Sequence, residues 1–96
     1  MKKQEIIDIL KNTIIPTDCR GWYPSVEKAR LNLITKLESG RLFIDYEDHK
    51  AVNIQGACIC ARTAVQCAGL TDVLLVHTGI YTTTVTFYNS RNPLNN

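Results

Sequence analysis

The sequence has no apolar run near the roughly 18 residues that a membrane-spanning helix requires. Its opening, Met1-Lys2-Lys3, runs into Gln4, Glu5 and Asp8 where a signal peptide would place an apolar core. The expectation is a protein with no membrane association that stays in the cytoplasm. Charge of one sign is equally scarce: 11 Lys and Arg against 9 Asp and Glu leave a net charge of +2, far from the basic face that marks most nucleic-acid binders. Also missing are a glycine-rich phosphate loop, a nucleophile elbow and an HExxH pair, so no catalytic residue and no cofactor is expected. Internal repeats and low-complexity blocks are absent too.

What is present is ordinary globular composition, 45% hydrophobic and 21% charged in 96 residues. That composition is far from the polar, charged balance of disordered chains. The length allows one core, hence a single domain over 1–96 with 89–96, SRNPLNN at its end, as a frayed tail.

Four cysteines in a short chain raise two readings, a disulfide framework and a zinc site with His49 or His77. Cys58, Cys60 and Cys67 instead fall in one segment of helical pattern. Residues two apart on a helix point about 200° apart, so Cys58 and Cys60 cannot clasp one ion. Free thiols in a reducing compartment, with no bound metal, are the expectation.

Helical spacing over 2–11 puts Ile6, Ile7 and Leu10 on one face, and Pro16 ends that helix. A second helix, capped by Ser25, runs over 26–38 with Val26, Ala29, Leu33, Ile34 and Leu37 inward and Gly40 beyond its end. Residues 41–47, RLFIDYE, read as a strand. A third helix, capped by Asp48, extends to about Ala68 with Gly69-Leu70 as a Schellman ending; Gln55, Arg62 and Gln66 form its narrow polar stripe. Residues 72–77 and 80–89 read as strands joined at Thr78-Gly79. The expected architecture is α+β, a two-layer sandwich of order α-α-β-α-β-β with a three-stranded mixed sheet, the crossover between its first two strands being right-handed if they are parallel neighbours.

Two sets of residues stand out for binding. Arg20, Trp22 and Tyr23 lie together beside Gly21 in an aperiodic stretch, and these three types are the ones enriched at interface hot spots. Thr82, Thr84 and Thr86 form one face of the last strand, which has neither charge nor proline to discourage edge pairing, so self-association into a homodimer is expected there. Together these features point to a small non-enzymatic protein-interaction module, for instance an inhibitor of a larger host protein encoded by a phage or other mobile genetic element. The alternatives are a nucleic-acid-binding accessory domain, with Arg41, Lys50, Arg62 and Arg91 near Phe43 or Tyr88, and a small-ligand-binding domain using the threonine face.

Overall fold

The computed structural model describes residues 1–19, 23–40, 43–45, 54–79, 82–88 and 93. Its elements are α1 (Lys3–Asn12), α2 (Tyr23–Glu38), β1 (Phe43–Asp45), α3 (Ile54–Cys67), β2 (Leu74–Thr78) and β3 (Thr83–Phe87).

The helices follow the apolar spacing. Ile6, Ile7 and Leu10 of α1 are buried, as are Val26, Ala29, Leu33, Ile34 and Leu37 of α2. The start of α2 differs from expectation, because the helix begins at Tyr23 and so takes in Pro24 and Ser25. Proline fits the first turn, where its missing N–H would have had no intrahelical acceptor, so Ser25 is not the cap. Helices α2 and α3 close on glycines with positive φ, Gly40 at 80° and Gly69 at 69°. At the end of α3 the Leu70 N–H donates to the Val65 carbonyl and the Gly69 N–H to that of Gln66, both at 3.0 Å. That is the paired bonding of the expected Schellman ending, with Leu70 buried against the core. The Asp48 cap and the frayed tail fall outside the described residues, apart from Pro93.

One long-range tie between α1 and α2 joins Arg30 to the carbonyl of Leu10, at 2.8 Å, while the same guanidinium is held by Glu27 one turn earlier. Its side chain is only 13% exposed, although helical spacing places it on the polar face. The Leu10 carbonyl lies in the last turn of α1, where intrahelical donors run out and a cation is favoured. Arg30→Ala should therefore lower stability by about 1.5 to 3 kcal/mol, the worth of a charged hydrogen bond. Lys11→Ala should cost about 1 kcal/mol or less, because the Lys11–Glu38 pair at 3.4 Å is half exposed on both sides. Urea unfolding of the two variants checks the difference.

The sheet departs from the expected topology. Its order is β1-β3-β2 and both pairings are antiparallel. The body of the sheet is the β2–β3 hairpin, with five paired positions from Leu74↔Phe87 to Thr78↔Thr83, and the three-residue β1 adds to the far side of β3. The mixed sheet is thus overturned, since β1 and β2 share a direction but β3 lies between them. The register sets Val85 opposite Ile44 on one side and Val76 on the other, and the buried positions of β2 and β3 form one row beneath α3. Helix α3 packs on both β2 and β3, burying Thr83, Val85, Leu74 and Val76. Thr78 and Gly79 are not the reversal expected there: Thr78 pairs with Thr83, the Gly79 N–H donates to the Thr82 carbonyl at 2.7 Å, and Gly79 is not among the positive-φ glycines. A Cβ there would stand 3.2 Å from Thr82 Oγ1, so close approach, not φ, accounts for this glycine.

Candidate interaction edge

Alternation along β2 and β3 leaves one sheet face open. Opposite the buried row, Leu75, His77 and Tyr88 are exposed and Thr84 and Thr86 half-buried, with Leu75 paired to Thr86 and His77 to Thr84. Leu75 is 40% and Tyr88 41% exposed, large apolar surfaces at the border between this face and the edge of β2.

That edge can be read from the hydrogen bonds. Tyr88 N–H donates to the Val73 carbonyl at 2.8 Å, and Gly79 N–H to that of Thr82. In an antiparallel ladder such bonded pairs alternate with unbonded ones, so 73, 75, 77 and 79 bond to β3. The backbone groups of Leu74, Val76 and Thr78 then point away from it. Two are partly engaged within the chain: the Leu74 N–H donates to Leu70 at 2.9 Å, and the Val76 carbonyl receives a long bond, 3.5 Å, from Arg62. Among the described residues no strand pairs with this side of β2. Beside it runs a groove of about 290 Å³ whose lining includes Arg62, Val65 and Gln66 of α3 and Leu75, Val76 and Tyr88. The Arg62 and Gln66 stripe anticipated on α3 therefore forms a wall of this groove.

The residues singled out in the sequence come to different places. Thr82, Thr84 and Thr86 cannot be a self-association edge, because Thr84 and Thr86 lie in the central strand and pair with β1 on one side and β2 on the other, while Thr82 is held at the hairpin by Gly79. Arg20 and Trp22 lie outside the described residues. Tyr23 opens α2, half-buried and packed against the core. Of the basic residues considered for nucleic acid, Arg62 is described and sits at the β2 groove, whereas Arg41, Lys50 and Arg91 are outside the described residues. The free edge of β2 was not among the sequence candidates, since which strand is an edge depends on strand order.

All four cysteines are free thiols, Cys58 and Cys60 buried in α3 and Cys67 exposed at its end. The Cys67 thiol is pushed above its ordinary 9.0, first by partial burial and then by the charge of neighbouring Cys19 in the α1–α2 connection. Raised in the folded chain, it is protonated in both the folded and the unfolded chain well below 9.0 and adds no pH dependence there. As pH rises past that value the unfolded thiol ionises first, so this contribution to stability is lost. Alkylation of Cys67, followed by mass spectrometry, should accordingly be slower near neutral pH than for a free cysteine and keep rising beyond pH 9, because the thiolate is the nucleophile.

Among the described residues no group of three or more metal-ligating side chains is found, and no helix is long and apolar enough to cross a membrane. Compared with protein-family models, with curated proteins and with solved structures, the chain shows no match.

Proposed function

We propose that this chain is a non-enzymatic protein-interaction module of the cytoplasm, acting by occupying a surface of a larger protein. The observation that carries the reading is the β2 border, where outward backbone groups, exposed Leu75 and Tyr88 and a groove meet. Sheet edges of this kind bind by main-chain hydrogen bonds, with side-chain pockets supplying specificity, and aromatic residues are enriched at interface cores. Inhibition of a host protein by a phage-encoded module is one form of this activity. Arg20, Trp22 and Tyr23 belong to the reading through their composition, as a second contact region. The test is capture of one defined protein from a lysate of the source organism in stoichiometric yield, persisting at raised salt and lost in Leu75→Glu with an unchanged melting temperature. Capture of nucleic acid that collapses as salt rises would replace this reading with the nucleic-acid one.

A further inference from the structure

With the chain read as an interaction module, the charge at the groove beside β2 bears on which protein partner fits it. The ion pairs between described residues are Lys11–Glu38 and Glu27–Arg30. Arg62 therefore has no carboxylate partner among the described residues, and its one hydrogen bond is the long contact to the Val76 carbonyl. A guanidinium carries five donors in a planar fork suited to a carboxylate, so most of the capacity of Arg62 is unused. This cation faces a strand, LLVHT, with no acidic residue and no proline, whose Val76 and Thr78 N–H groups point outward. One wall of the groove thus offers a strand ladder and the other the positive charge of Arg62 beside the exposed Gln66.

We propose that the β2 edge receives an extended, acidic segment of a partner protein as a fourth strand, and that Arg62 takes one of its carboxylates. Side chains of an added strand alternate between the two faces of the sheet. Those on the α3 side meet Arg62 and Gln66, and those on the open side meet Leu75 and Tyr88. The recognised segment therefore alternates acidic and apolar residues. Main-chain bonds to Val76 and Thr78 hold it in register, and the charge of Arg62 excludes basic segments by repulsion.

The experiment selects short random peptides displayed on phage against the full chain, then measures enriched peptides by fluorescence anisotropy. Enrichment of alternating acidic and apolar sequences is expected, with binding weakened roughly tenfold or more by Arg62→Glu. Thr78→Pro removes an outward N–H that β3 does not use and suits an edge strand, so it should weaken binding similarly while leaving the melting temperature near that of the parent. Enriched peptides without acidic bias, wild-type binding by Arg62→Glu or by a folded Thr78→Pro, or no enrichment at all would overturn the proposal. So would light scattering showing the parent chain as a dimer that Thr78→Pro dissolves, for the edge would then belong to a second copy. Should the acidic-peptide proposal fail while lysate capture persists in both variants, the interaction reading stands and its surface lies elsewhere.

Discussion

Leu33→Ala should lower stability by about 2 to 5 kcal/mol, the usual cost of emptying a leucine-sized space in a packed interior. Leu33 is fully buried in the middle of α2, the helix that packs on both α1 and α3. Its removal leaves a space that two helix interfaces would have to close. A domain of this length has a total stability of about 5 to 14 kcal/mol, so the loss is a large share of the whole and should drop the melting temperature by more than about 10 °C. Leu31 is two residues away on the same helix but 51% exposed, and Leu31→Ala should change stability by no more than about 0.5 kcal/mol. Thermal melts of the two variants check this. Equal effects would mean that α2 does not present the face described.

Ala64→Leu should be damaging for the opposite reason. Helix α3 lies between α2 and the sheet and buries Ala57, Ala61 and Ala64, small residues that let both neighbours approach. Ala64 is fully buried, so extra methyl groups have nowhere to go without displacing the helix, at about 1 to 3 kcal/mol or more. Gln66→Leu, on the exposed groove side of the same helix, adds apolar bulk without that crowding and should be near neutral. Denaturant midpoints of the two variants separate crowding from hydrophobicity.

Much of this interior is legible in the chain because helical burial depends on local spacing. Ile6, Ile7 and Leu10, or Leu33 and Leu37, declare their face through neighbours three and four residues apart. The ending of α3 is equally local, since Gly69 and Leu70 carry the whole motif. Strand order is a different kind of information. Alternation in 83–87 tells which side of the strand is buried, but the same alternation suits a central or an edge position, so Thr84 and Thr86 looked like an edge while both their neighbours are strands. Arg30 shows the same limit in a helix. Helical spacing alone puts it on the polar face, yet its side chain is largely buried, because its bond to Leu10 spans 20 residues of sequence and depends on how α1 packs. The β2 groove joins residues from 62 to 88, and no window along the chain contains it.

The most direct measurement of the central claim, that β2 is an open edge where a partner adds, is amide hydrogen exchange resolved residue by residue. In the free protein the N–H groups of Leu75 and His77 lie inside the β2–β3 ladder while those of Val76 and Thr78 face outward. Val76 and Thr78 should therefore exchange roughly 100-fold faster than Leu75 and His77, and slow markedly once a partner segment is bound. Uniform protection along β2 in the free monomer, or Val76 and Thr78 still exchanging fast in the complex, would contradict it.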